Sequence, residues 1–230
     1  MARNPTVECA SSGNNIKNEQ VEQVLFITLE GPDGSGKSSQ MNPLAEFIRQ
    51  RGYSVFTTRE PGGTEISDQV RSILADLKNK GMHPRTEILL FCGARAQLVE
   101  EAIRPRLQQG QIVISDRYAD STLAYQGYGH GVNLEFLKKL LNFATGDLWP
   151  DLTLYLDVEA EEGLSRRRRG GGEWNRLDDY ALDFHRRVRQ GYLKMANQDP
   201  QRWCIIDANR SKELVLEEIC QTISKVLPII

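Results

Sequence analysis

The sequence predicts an α/β fold, a five-stranded parallel sheet flanked by helices on both faces. Five short runs rich in β-branched and apolar residues alternate with longer amphipathic stretches, the pattern of strand-helix-strand crossovers. A glycine-rich stretch, EGPDGSGKSS at Glu30 to Ser39, leaves the first run and opens the first helical stretch. From residue 24 onward there is no internal repeat and no break in composition, so 24–230 reads as one domain. With 230 residues and 40% hydrophobic content, the chain can bury a core of that size.

Residues 1–23, MARNPTVECASSGNNIKNEQVEQ, are polar and lack the apolar centre of a secretory signal, so they read as a flexible N-terminal extension. The strand candidates are Val24 to Leu29, Ser54 to Thr58, Ile112 to Ser115, Leu152 to Asp157 and Trp203 to Ile206. Ligands of a parallel sheet bind outside the carboxyl ends of its strands, so functional residues are expected just after these runs. No apolar run reaches the roughly 18 residues of a spanning helix, and no membrane partner is expected. A net charge of -2 gives no general attraction to nucleic acid; Arg166 to Arg169 form the one local basic cluster. Cys9, Cys92, Cys204 and Cys220 have no metal-ligand spacing and read as free thiols, which suits a reducing, cytoplasmic compartment.

Gly31, Pro32, Asp33, Gly34, Ser35, Gly36, Lys37 and Ser38 satisfy the pattern G-x-x-x-x-G-K-[ST] between a predicted strand and helix, which makes the expected fold a P-loop NTPase fold. Glycines let the backbone curl until its N–H groups converge on an anion at the helix N-terminus. Lys37 is placed to reach the β- and γ-phosphates of a nucleoside triphosphate, and the Ser38 hydroxyl to ligate Mg²⁺, with Ser39 completing the triphosphate-binding stretch. A P-loop alone leaves the acceptor open. A guanine-nucleotide switch needs an Asn-Lys-x-Asp reader, yet Asn79-Lys80 is followed by Gly81-Met82.

Three further stretches follow in order: TREPGG (Thr58 to Gly63), TEILLFCGARAQ (Thr86 to Gln97) and SDRYADSTLAYQG (Ser115 to Gly127). Phe91 and Arg95, four apart on a predicted helix, share a face, so a ring can stack on a flat base while a guanidinium donates to its edge. Together these stretches resemble thymidylate kinase, from about Phe26 to the C-terminus. The resemblance implies stacking at Phe91, donation from Arg95 to O4 of thymine, pyrimidine-edge contacts from Thr122 and Gln126, and Tyr125 crowding a ribose 2'-hydroxyl. It further implies that Arg59, Arg71 and Arg117 hold the acceptor phosphate, that Asp116 stands near Mg²⁺, and that Asp33 and Glu60 lie near the sugar 3'-hydroxyl and the magnesium shell.

RRRRGGG, Arg166 to Gly172, occupies the family's lid, about 165–176 here, with glycines to supply freedom of movement. The P-loop residues Asp33, Gly34 and Ser35 include no arginine, so the chain resembles the type that draws its catalytic arginine from the lid. Arg166 and Arg168 are the first choices for that role, Arg169 stays open, and Arg176 is expected to anchor the lid. The plain alternative is a basic surface patch that binds polyanions. The implied activity is transfer of the γ-phosphoryl group of ATP to dTMP, giving dTDP and ADP, with Mg²⁺ as cofactor and a homodimer as assembly. A deoxynucleoside kinase using Glu60 as base is one rival, but an uncharged acceptor gives Arg71 and Arg117 nothing to bind. A non-catalytic nucleotide- or nucleic-acid-binding module is the other, and it needs a broader basic face than one four-residue run.

Overall fold

The computed structural model describes residues 24–170 and 174–227; the extension, Gly171 and Gly172 lie outside them. The strands are β1 (Phe26–Glu30), β2 (Val55–Arg59), β3 (Ile112–Asp116), β4 (Leu152–Asp157) and β5 (Trp203–Asp207). They form one parallel sheet of order β2-β3-β1-β4-β5. Each lies within two residues of its predicted run.

The helices are α1 (Lys37–Arg49), α2 (Glu65–Ala75), α3 (Pro84–Leu98), α4 (Arg104–Gln108), α5 (Ala119–Thr122), α6 (Leu134–Thr145), α7 (Ala160–Arg169), α8 (Leu182–Gln198) and α9 (Lys212–Ser224). Most have ordinary start signals. Thr64, Asn133 and Ser211 cap α2, α6 and α9 through their side chains, and Pro84 opens α3. A π-helical turn, Leu123–Gly129, follows α5; such turns re-aim side chains and recur at functional sites.

Every residue of β1 is buried, as befits a central strand covered on both faces. Alternation along the strands divides the core in two. Phe26, Val113, Tyr155 and Trp203 face α3, α6 and α8, whereas Ile27, Leu29, Ile114 and Leu154 face α1 and α9. The register pairs Leu29 and Arg59 with Asp116, Glu30 with Tyr155, and Asp157 with Asp207. All five strands therefore end at one level, and β1, set between β3 and β4, opens the crevice where the chain changes side.

The arginine run differs from a loose glycine-rich lid: Arg166 to Arg169 form the last turn of α7. Local charge explains this. Glu161 and Glu162 lie in the first turn, arginines complement the C-terminal end, and Glu162 pairs with Arg166 at 2.7 Å across one turn.

Candidate active site

The donor half of the site begins where β1 ends. Gly36, at φ 94°, leads into α1, whose start has neither a side-chain cap nor an acidic residue in its first turn. Those N–H groups line a cleft with Gly34, Ser35, Ser38 and Ser39, an arrangement suited to phosphate. Gly34, at φ 79°, packs directly on α7: a β-carbon there would lie 1.9 Å from the Gly163 carbonyl oxygen. That contact sets the next turn of α7 over the cleft.

Lys37 Nζ donates to the carbonyls of Gly31 and Pro32 at 2.9 Å each, and to Ser35 Oγ at 3.3 Å. Burial first, then the neighbouring Arg117, lowers its pKa to about 8 against the pull of Asp116, Asp33 and Glu30. Ser38 Oγ donates to Asp116 Oδ2 at 2.6 Å. A hydroxyl and a carboxylate side by side fit Mg²⁺, which takes oxygen ligands, keeps several waters and shares substrate phosphates rather than filling an all-protein cage.

The acceptor half lies beside it, lined by Phe91, Arg95, Thr122, Tyr125 and Gln126, with Pro61, Ser121, Asn175 and Leu177. Arg95 is 2% exposed. Its Nε and Nη2 meet Glu60 Oε2 at 2.8 and 2.6 Å, Nη2 reaches the Tyr118 carbonyl at 3.1 Å, and Nη1 reaches Thr122 Oγ1 at 3.2 Å. A guanidinium has five N–H donors, so one on Nη1 is left for a ligand. Burial pushes the Glu60 carboxyl up, opposed by Arg95. Its Oε1 is buried with no partner among the described residues. Glu60, the base that a nucleoside kinase would need, is thus committed to an ion pair.

Asp33, Glu60, Arg71, Arg117 and Asn175 line both halves. Arg117, at φ 72°, is a non-glycine residue held in the left-handed region, a strain the surrounding contacts must hold. Its Nη2 bonds Asp33 Oδ1 at 2.7 Å and Tyr125 OH at 3.1 Å; its Nη1 bonds Ser121 Oγ at 3.1 Å and Tyr192 OH at 3.3 Å. Burial opposes charge on Asp33, but Arg117, Lys37 and the Tyr125 hydroxyl hold its carboxyl well below the usual range. Arg71 Nη1 donates to the Pro61 carbonyl at 2.9 Å, at the wall between the halves. Arg59 lines the donor cleft, 54% exposed and paired with Asp68 at 3.0 Å.

The two first-choice lid arginines separate. Arg166 lines the donor cleft and ties α7 to the loop after β5 through the Ala208 carbonyl at 2.7 Å. Arg168 instead lies over the Trp174 ring at 5.1 Å and is not among the cleft residues. Arg167 and Arg169 do line the cleft, Arg167 paired with the buried Asp178 at 3.1 Å. Arg176 is buried, hydrogen-bonded to the Leu74 carbonyl at 3.0 Å and Tyr180 OH at 3.0 Å, and ion-paired with Glu87 at 2.5 Å.

Sequence reasoning missed the support under Arg117. Glu30 accepts hydrogen bonds from the Tyr118 N–H at 2.8 Å and from the Ser121 and Tyr192 hydroxyls at 2.7 Å each. Those hydroxyls spend their hydrogens on Glu30 and so offer lone pairs to Arg117. A charge closing an otherwise apolar strand was the available signal. Burial first, then Asp120, pushes the Glu30 carboxyl from 4.5 to about 7, against Arg117 and the two hydroxyls. A folded-state value above the unfolded one means that the folded chain binds more protons between those pH values. Glu30's contribution is thus complete below about pH 4.5 and lost as pH rises to about 7, on the order of 3 kcal/mol. Chemical denaturation at pH 5 and pH 8 is expected to show a smaller loss of stability across that interval in Glu30→Gln than in the parent; equal losses would refute the assignment.

Fold and site together define an ATP-dependent nucleoside monophosphate kinase of the P-loop NTPase fold. The family model for thymidylate kinase matches residues 29–219. The thymidylate kinase of Roseiflexus castenholzii is 51% identical over 215 residues, covering 88% of this chain and 94% of that one. That of Thermomicrobium roseum is 50% identical over 202 residues, covering 88% and 95%. The crystal structure of thymidylate kinase from Ehrlichia chaffeensis aligns with a TM-score of 0.72 at 35% identity, over 87% of this chain and 98% of that one. The chain belongs to the thymidylate kinase family.

Proposed function

We propose that this chain transfers the γ-phosphoryl group of ATP to the phosphate of dTMP, giving dTDP and ADP. The observation that carries the reading is the shared wall. A phosphate cleft and a pocket offering a ring, a guanidinium and an amide meet at Arg117 and Asp33. A nucleoside monophosphate carries a phosphate whose second pKa is about 6, so its oxygen is already ionised at neutral pH and needs no general base. Rate must then come from positioning and charge neutralisation. In this reading Phe91, Arg95, Thr122 and Gln126 hold the base, Tyr125 lies against the sugar, and Arg71 and Arg117 aim the acceptor phosphate. Lys37 and Arg166 stabilise charge on the moving group. Ser38 and Asp116 would hold Mg²⁺, which would supply positive charge against the phosphates as negative charge develops in transfer.

A substrate panel of nucleoside monophosphates with ATP and Mg²⁺, read by chromatography and including thymidine, tests this. The expected outcome is dTDP from dTMP and no product from thymidine. Conversion of purine acceptors with dTMP ignored would end the reading. Within it, Arg117→Lys is expected to lower kcat/KM for dTMP about 100-fold, because an ammonium cannot reproduce the planar fork that spans Asp33, Ser121 and the acceptor phosphate. Steady-state kinetics with dTMP varied checks it; a change under threefold would remove Arg117 from the phosphate.

The homodimer implied by the resemblance is supported by exposed apolar side chains on the packed helices α3 and α6, namely Leu89, Phe136 and Phe143. Sedimentation velocity tests it. Cys92, Cys204 and Cys220 are free, which supports a reducing, cytoplasmic setting. Among the described residues no helix is long and apolar enough to cross a membrane.

A further inference from the structure

A buried polar cluster behind the acceptor pocket has no part in moving the phosphoryl group. Glu87 of α3 is 1% exposed. Its Oε1 accepts from Gln126 Nε2 at 2.6 Å; its Oε2 accepts from Tyr180 OH at 3.1 Å and forms an ion pair with Arg176 Nη2 at 2.5 Å. Arg176 is in turn fixed to the end of α2 through the Leu74 carbonyl, so Glu87 is held from two sides.

The chemistry of this contact sets a direction. A carboxylate only accepts, whereas a carboxamide has a donor end and an acceptor end. Glu87 therefore decides which end of Gln126 it meets: the NH₂ end makes a hydrogen bond, and the reversed amide would set oxygen against oxygen. Gln126 lines the acceptor pocket, and its Oε1 takes no hydrogen bond from any described residue. That oxygen is left as an acceptor for the occupant of the pocket. Arg95, with one N–H to spare, supplies a donor to the same pocket.

We infer that Glu87 is a specificity-positioning residue: by fixing the orientation of the Gln126 amide, it makes the pocket select 4-oxopyrimidines, which carry a ring N3–H, over 4-aminopyrimidines, whose N3 is a bare acceptor. The inference rests on the reading that Gln126 faces the edge of the base. A site built to accept an N–H rejects the analogue that lacks it, because two acceptors are then left facing one another.

The test is the ratio of kcat/KM for dCMP to that for dTMP, which cancels any common effect on phosphoryl transfer. Glu87→Gln keeps the shape but offers Gln126 either a donor or an acceptor, so the amide can turn. The ratio is expected to rise about tenfold, the order expected for one hydrogen bond. In a Gln126→Leu background the same substitution is expected to leave the ratio unchanged, since Glu87 acts only through that amide. A merely structural role would lower both acceptors alike. If Gln126→Leu shifts the ratio and Glu87→Gln does not, the inference on Glu87 falls while the site reading stands. If Gln126→Leu leaves the ratio untouched, the amide does not read the base and both fall. Should Glu87→Gln fail to fold, Glu87→Met with Arg176→Leu removes both charges together, leaves neither buried alone, and must raise the ratio in the same way.

Discussion

Lys37→Met is expected to lower kcat by roughly 10³-fold or more while leaving the thermal midpoint unchanged or raised. The lysine stands at the first turn of α1, buried, with its ammonium against the Gly31 and Pro32 carbonyls at the floor of the donor cleft. Two lysines line that cleft, Lys37 and Lys212, and Lys37 is the one in electrostatic contact with Asp116 and Arg117. Removing a buried cation relieves desolvation, so a loss of rate without a loss of stability separates a chemical role from a structural one. Its pKa, lowered to about 8, gives a second readout. The free-enzyme profile, kcat/KM for ATP, is expected to fall above about pH 8 as the ammonium loses its proton. In Lys37→Arg that alkaline limb should be missing, because a guanidinium stays charged. The stability sign runs the other way: a depressed lysine pKa means the unfolded chain binds more protons between about pH 8 and 10.5, so folding gains stability over that interval. A parent profile flat to pH 9.5, or a Met variant within tenfold of the parent kcat, would remove Lys37 from the transferring phosphoryl group.

The strands and the P-loop were legible because each is a local pattern. Apolar runs of four to six residues between amphipathic stretches read as parallel strands whatever lies around them, and the glycine spacing of Gly31 to Ser38 dictates its own loop. Strand order was not legible, since nothing in β1 says that β3 and β4 will be its neighbours. The acceptor pocket was half visible. Phe91 and Arg95 share a helical face by spacing alone, but Glu60 and Arg95 lie thirty-five positions apart, and only tertiary packing makes them an ion pair. Glu30, Glu87 and Tyr192 act through other residues rather than on a ligand, and beyond the charge that closes β1 at Glu30 the sequence carries no mark for that. The π-helical turn at Leu123–Gly129 was equally hidden, because the usual helical spacing does not describe how the adjacent Tyr125 and Gln126 both come to line the pocket.

Arg166→Ala is expected to lower kcat by roughly 10³-fold, and Arg168→Ala by less than threefold, although the two stand in one run of four identical side chains. Helical geometry separates them. Successive residues turn by about 100°, so once Gly163 is pressed against Gly34, Arg166 and Arg167 flank that face one turn later while Arg168 points roughly away from it; Arg169 also lines the cleft. Arg166 is also the better held of these two: Glu162 and the Ala208 carbonyl fix its Nε and Nη1 at 2.7 Å each, whereas Arg169 is 67% exposed and shares Glu162 at 3.2 Å. A guanidinium fixed before substrate arrives loses little entropy on engaging the moving charge, and that is the advantage of preorganised donors. Arg167→Ala should act differently from either, because it strips the charged partner from Asp178, whose side chain is fully buried; the expected signature is a lower thermal midpoint with a smaller effect on kcat. Single-turnover rates with ATP and dTMP distinguish these outcomes. A collapse of rate in Arg168→Ala with Arg166→Ala intact would mean that α7 turns about its axis when nucleotide binds, breaking the Arg168 contact with Trp174. Loss of rate in neither variant would move the catalytic charge off α7 altogether.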